Sequence, residues 1–297
     1  MFFRIHHRLS YTYDRPVFLE PMTLRLTPRQ DGSQRILEHH QKLVDPPAGL
    51  TRVLEPDGTD AMVAWFQQER DHLTIEVDML VETLRSNPFD WIVTHREAQH
   101  LPVTYPEAEA SSLAGCLQDQ TDPAVRAWAQ AIAERVDGSA TAFLSALADD
   151  IHHGFHHVGR LEGEPTSAAE TLATLTGACR DTAMLFIAAC RSQGLAARFV
   201  SGYSMHHPPE VSEHELHAWA EVYLPGGGWR GFDPSLGLAV ADGHVVLAAA
   251  PDHHLAAPVS GRYRGTGVGS NLTYLIQLKA ASRREELEEN AQPMVPS

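Results

Sequence analysis

Three residues of this chain carry types and spacings suited to nucleophilic chemistry. Cys179 follows Gly177 and Ala178 and opens a run, CRDTAMLFIAACRSQ, that reads as a helix closed by Gly194. A thiolate at that place meets unpaired backbone N–H groups and the positive end of the helix dipole, and Arg180 adds positive potential. Gly177 and Ala178 leave little bulk between the sulfur and an incoming carbonyl. The plainer reading is a small buried hydrophobe at a helix end, and position alone does not decide between the two. A nucleophilic thiol also needs a base within hydrogen-bond reach and a third group to orient that base. His217 opens HAWAEVYL, and Asp233 lies in WRGFDPS beyond Gly226-Gly227-Gly228. A hairpin turning near residue 227 brings the two side chains near each other, unless a bulge shifts the register by one. Taken singly, His217 reads better as structural; with Asp233 and Cys179 it reads as a base.

The elements that must position these residues divide the chain in two. Residues 1–90 read as an antiparallel β-sandwich: Phe3, Ile5, Leu9 and Tyr11 alternate with polar positions, as do Leu73, Ile75, Val77, Met79 and Val81. Turn chemistry at Asp14-Arg15-Pro16, Asp45-Pro46-Pro47 and Pro56-Asp57-Gly58 separates the strands. Residues 91–121 lose periodicity and read as a linker. Residues 122–281 form an α+β unit, with Asp122-Pro123 opening one helix, Ser139 a second and the capping box Ser167-Ala-Ala-Glu170 a third. After the Cys179 helix come RFVSGYS, HAWAEVYL, WRGFDPS, VVLAAA and TYLIQL as strands, and residues 282–297 form a charged tail expected to be disordered.

Composition narrows the partners. A net charge of −15 with no dense Lys/Arg stripe repels a phosphate backbone, which argues against nucleic acid and anionic membrane. The N-terminal MFFRIHHRLSYTYDRP lacks the apolar core of a signal peptide and no later run is built to span a bilayer, so a soluble, cytoplasmic protein is expected. Three cysteines make no disulfide framework. Cys190, deep in an apolar helical stretch, reads as core.

The blocks GACRDTAMLFIAACRSQGLAARFVSGY and HAWAEVYLPGGGWRGFDPS together resemble the core of the bacterial transglutaminase-like superfamily, and HHRLSYTYDRPV with LRLTPRQ is similar to the β-sandwich that precedes that core in many bacterial members. The resemblance implies a papain-like fold in which helices pack on an antiparallel sheet, with Cys179 as nucleophile, His217 as general base and then acid, and Asp233 as the group that fixes the imidazole. It implies thiol acyl transfer on a peptide or other amide-containing substrate, through a thioester and without a cofactor. Hydrolysis is expected over crosslinking, because water is always available and no second site for an amine is visible. A crosslinking enzyme and a non-catalytic binding protein on the same fold are the alternatives. The chain departs from the usual pattern at Ala178 (commonly Val), at Thr182 (commonly aromatic) and at Phe155-His156-His157 (commonly Phe-x-Tyr). The Cys179 backbone N–H is the first candidate oxyanion donor.

Other signals have plainer readings. His152-His153-Gly154-Phe155-His156-His157 has the i, i+4 spacing of metal ligands, yet Gly154 interrupts it, so solvated or wall-lining histidines are the plainer choice. Asp181 serves either a neighbour or the free N–H groups of its helix turn. Trp219 shares a strand face with His217 and either shields the imidazole or fills the core. Glu213 and His214 read as a solvated loop.

Overall fold

The structure, a computed structural model, describes residues 1–160, 163–206 and 216–289. Its first part is built from β1 (Phe2–Leu19), β2 (Met22–Leu24), β3 (Gln34–Leu43), β4 (Gly49–Leu54), β5 (Asp60–Trp65) and β6 (Arg70–Thr83). Alternation explains these strands: Phe3, Ile5 and Leu9 of β1 and Leu73, Ile75, Val77, Met79 and Val81 of β6 are all buried, and the strands pair antiparallel with Ile5 opposite Met79 and Leu9 opposite Ile75. Leu24, Ala64 and Phe66 from the second sheet close over the same apolar core, giving the sandwich.

The second part holds α1 (Glu107–Ser112), α2 (Pro123–Arg135), α3 (Ala140–Gly154), β7 (His156–His157), α4 (Ala168–Thr174), β8 (Thr176–Gly177) and α5 (Cys179–Ser192), then β9 (Ala197–Ser204), β10 (His217–Leu224), β11 (Gly228–Asp233), β12 (Leu238–Ala239) and β13 (His244–Ala250). The helix starts follow local chemistry. Asp122 accepts from the Ala124 N–H at 2.8 Å with Pro123 in the first turn, and Ser167 accepts from the Glu170 N–H at 3.2 Å. The sheet runs β12-β11-β10-β9-β13. Helix α5 packs on the face carrying Ala218, Ala220 and Val222, and Phe186 stacks on Phe232 with ring centroids 5.8 Å apart. Together with the sandwich this makes the α+β architecture that the sequence implied.

After β13 the chain adds β14 (Val259–Ser260), β15 (Tyr263–Arg264), β16 (Ser270–Ala281) and the short helix α6 (Arg284–Glu289). Here the structure corrects the division into units. Strand TYLIQL, assigned from sequence to the 122–281 unit, pairs along β1 from Phe2 opposite Ala281 to Tyr13 opposite Ser270, and β14 and β15 join the sandwich sheets as well. Only pairing more than 230 residues apart in sequence could show this. Of the tail expected to be disordered, residues 284–289 are helical, and residues 290–297 lie outside the described residues. No helix among the described residues is long and apolar enough to cross a membrane.

A buried ion network ties the sandwich to the sheet. Glu221 of β10 accepts from Arg29 at 2.8 Å and 3.1 Å and from Arg198 at 2.7 Å and 2.9 Å. Burial opposes its ionisation, but the two guanidiniums prevail and hold the carboxyl at about 2.

Candidate active site

Cys179 is the first residue of α5, half-buried, and its backbone N–H belongs to the helix turn that has no intrahelical acceptors. The position before it, Ala178, offers no side-chain oxygen to cap the helix. Asp181 supplies one from the third helical position instead: its Oδ2 accepts from the Ala178 N–H at 2.8 Å, and its Oδ1 accepts from the Thr166 N–H at 2.7 Å and from Arg160. Gly177 makes this possible, since a Cβ there would stand 2.9 Å from the Asp181 Cβ. Both roles open to Asp181 are therefore filled at once, and the turn that presents the thiol is fastened by a buried carboxylate.

His217 is the first residue of β10 and faces Asp233 at the end of β11, with 2.6 Å between His217 Nε2 and Asp233 Oδ2. The hairpin pairs Ala220 with Phe232 and Leu224 with Gly228, so continuing the register sets Asp233 opposite Trp219 and makes it a diagonal neighbour of His217. The expectation of proximity holds, and a diagonal contact replaces a direct pair. The Cys179 sulfur lies near enough to the same imidazole to favour its charged form, and both side chains line one cavity. Since Nε2 is held by Asp233, Nδ1 is the ring nitrogen left for the sulfur. Burial disfavours the charged imidazolium, but the Asp233 carboxylate, the Cys179 sulfur and the hydrogen bond to Asp233 outweigh it, and the His217 pKa is raised well above its ordinary value.

Asp233 is fully buried and fully satisfied. Its Oδ1 accepts from the Ser235 hydroxyl at 2.7 Å and the Ser235 N–H at 3.1 Å, and its Oδ2 accepts from both His217 and His244. Burial alone would favour the neutral acid; the two imidazoles reverse this and hold it far below the usual carboxylate range. His244, on β13, was not singled out in the sequence. Its own pKa is lowered, chiefly by burial, so it is a neutral donor. Trp219 is fully buried, stacks on His217 with centroids 6.0 Å apart and meets His244 edge-on at 5.0 Å. Gly202 leaves room for it, since a Cβ there would lie 2.7 Å from the indole. Trp219 thus both fills the core and shields the imidazole.

The remaining candidates separate from this centre. Cys190 is buried, and desolvation drives its pKa up, as it does for Cys116. The rings of His152, His153 and His157 lie beside one another but bond separate partners: His152 Nδ1 bonds the Ser235 carbonyl at 2.9 Å, His153 pairs with Asp149, and His157 Nε2 bonds the His152 carbonyl at 3.2 Å. Among the described residues, ligand-like clusters are Glu164–His253–His254 and His217–Asp233–His244, and neither uses the 152–157 run. A cation in the second would have to displace the two hydrogen bonds to Asp233 Oδ2. Glu213 and His214 lie outside the described residues. The thiol and imidazole open into a cavity of about 400 Å³.

A thiol at a helix start, faced by an imidazole–carboxylate pair on an antiparallel sheet, defines the papain-like class of cysteine sites. Comparison with known proteins specifies the family. The chain belongs to the transglutaminase-like superfamily: residues 126–234 match the model of that name, and residues 3–82 match the bacterial transglutaminase-like N-terminal region. It is 30% identical to the uncharacterized protein Rv2569c of Mycobacterium tuberculosis over 276 residues, covering 87% of this chain and 86% of the relative. An uncharacterized protein of Mycobacterium leprae is 25% identical over 283 residues, covering 93% and 97%. In fold, the chain is similar to the crystal structure of a "Putative Cysteine Protease" from Cytophaga hutchinsonii, with a TM-score of 0.70, 21% identity and coverage of 95% and 92%.

Proposed function

We propose that this protein is a cysteine hydrolase that cleaves an amide bond through Cys179, His217 and Asp233. The observation that carries the reading is that Cys179 and His217 line one cavity while the imidazole is held at 2.6 Å by the buried Asp233. His217 Nδ1 takes the thiol proton, and Sγ attacks the amide carbonyl carbon. The developing oxyanion is met by the Cys179 N–H at the helix start. The C–N bond breaks as the imidazolium returns its proton to the departing amine, leaving a thioester. His217 then deprotonates a water that attacks the thioester carbon, the C–S bond breaks, and the carboxylic product leaves with the thiol restored. Asp233 holds the imidazole with Nε2 protonated throughout and stabilises the imidazolium between steps.

Hydrolysis is preferred to crosslinking because water needs no binding site of its own beside the thiol, whereas an amine acceptor does. The test is site-resolved alkylation by iodoacetamide with Cys116 and Cys190 as internal controls, followed by turnover of peptide amides. Fast labelling confined to Cys179 and product release without added amine support the reading. A Cys179 that reacts no faster than the two buried cysteines would sink it in favour of a binding protein.

A further inference from the structure

The cavity at Cys179 and His217 is not lined by the catalytic unit alone: Leu9 and Tyr11 from β1 and Leu272 and Tyr274 from β16 also contribute to its wall. Register makes these four one surface. Leu9 stands directly opposite Tyr274, and Tyr11 directly opposite Leu272, on the same face of the paired strands. Ser10 and Thr273 between them point the other way. Leu272 and Tyr274 remain only half-buried, so this plate keeps apolar and aromatic surface for an occupant. Burial pushes the Tyr11 hydroxyl up to about 12, which keeps it neutral. From the catalytic side, Phe199 and Leu216 extend the same apolar lining, and Val259 of β14 adds to it from the sandwich.

Among the described residues, Arg160, Arg180 and Glu164 are the Arg and Glu side chains on the lining. Arg160 is bound to Asp181, and Glu164 at the rim accepts from His253 at 3.1 Å. An acidic substrate would meet Glu164 and a chain of net charge −15. Because the thiol and the plate share one cavity, a peptide that brings its carbonyl to Cys179 has this apolar surface within the same cavity for a neighbouring side chain.

Resting on the hydrolase reading, we infer that the β-sandwich is the specificity wall of the site, and that the substrate is a peptide amide with a bulky apolar side chain, of leucine or phenylalanine size, beside the scissile bond. Removing such a side chain from water favours it over glycine by about tenfold to a hundredfold.

Acetylated aminoacyl chloromethyl ketones bearing leucine, phenylalanine, glycine or aspartate test this, with labelling of Cys179 timed by mass spectrometry on the full chain. The leucine and phenylalanine probes are expected to label at least about tenfold faster than the other two. In Leu272→Ala and, separately, Tyr274→Ala, that advantage, read as the probe rate divided by the iodoacetamide rate at Cys179 in the same variant, is expected to shrink to about twofold. Equal rates for leucine and glycine probes, or an advantage that survives in both folded variants, would overturn the assignment of the wall and leave the hydrolase reading standing. A Cys179 inert to iodoacetamide as well as to every probe would remove the hydrolase reading, and the specificity wall with it.

Discussion

His217 and His244 both hydrogen-bond Oδ2 of Asp233, at 2.6 Å and 3.0 Å, although they come from strands separated by β9. An ionised carboxylate only accepts, so both Nε2 atoms carry their protons. For His217 this leaves Nδ1 as the ring nitrogen that can exchange a proton with the thiol. His244 anchors the carboxylate from the opposite side. It acts through Asp233 and is a positioning residue.

Replacing the sulfur separates chemistry from folding. Cys179→Ala is expected to lower amide turnover by at least about a thousandfold with an unchanged thermal transition, since the side chain is half-buried and small. Turnover measured beside a melting curve decides this, and retained activity would refute the thiol mechanism.

Removing the second histidine weakens the support of the base. His244→Phe is expected to reduce kcat by about tenfold to a hundredfold and to shift the pH profile of kcat/KM, because Asp233 loses one of its donors. His244→Gln keeps an N–H donor and should recover part of the rate. Equal loss in both variants would point to packing rather than to the hydrogen bond.

The turn before the nucleophile depends on Asp181. Asp181→Ala leaves the Ala178 and Thr166 N–H groups and Arg160 without their acceptor, and about 2–3 kcal/mol of stability is expected to go with it. Chemical denaturation measures the loss, and slower alkylation of Cys179 should accompany it. A variant as stable as the parent would show that water replaces the carboxylate.

Acid should loosen the joint between the sandwich and the catalytic sheet. His7 of β1 is buried, shares a 2.8 Å hydrogen bond with the Tyr203 hydroxyl, and is held at about 4 by burial and by neighbouring His6. Below the ordinary value of 6.5, the unfolded chain binds a proton that the folded chain refuses. Stability is therefore lost as pH falls from about 6.5 to 4, by up to about 3 kcal/mol from this group. His7→Gln should flatten that part of the stability–pH curve, and identical curves for variant and parent would contradict the assignment.

Much of the fold and the centre of the site were legible in the sequence because they rest on local physics. The period of two in β1 and β6, the caps at Asp122 and Ser167, and the glycine hairpin that joins His217 to Asp233 all act over a few residues to a few tens of residues. His244 was not legible. It heads an apolar strand eleven positions after Asp233, and its only outward signal is a polar residue at the start of VVLAAA. Its meeting with Asp233 depends on β13 pairing with β9, a pairing no spacing announces. Strand β16 hid for the same reason: its alternation fits any sheet with a free edge, and the register that places it on β1 joins opposite ends of the chain.

The sequence by itself determined the chemical types, their order and the local elements that carry them: a thiol behind small residues at a helix start, an imidazole opening a strand, and a carboxylate across a turn. Tertiary structure alone decided what surrounds them, namely the second histidine on the carboxylate and the Leu9–Tyr274 and Tyr11–Leu272 plate on the cavity that holds the thiol. The reason is physical. Local elements are specified by periodicity and capping within a short window, whereas the walls of a cleft are set by apolar surfaces distant in sequence that bury each other only when the whole chain has folded.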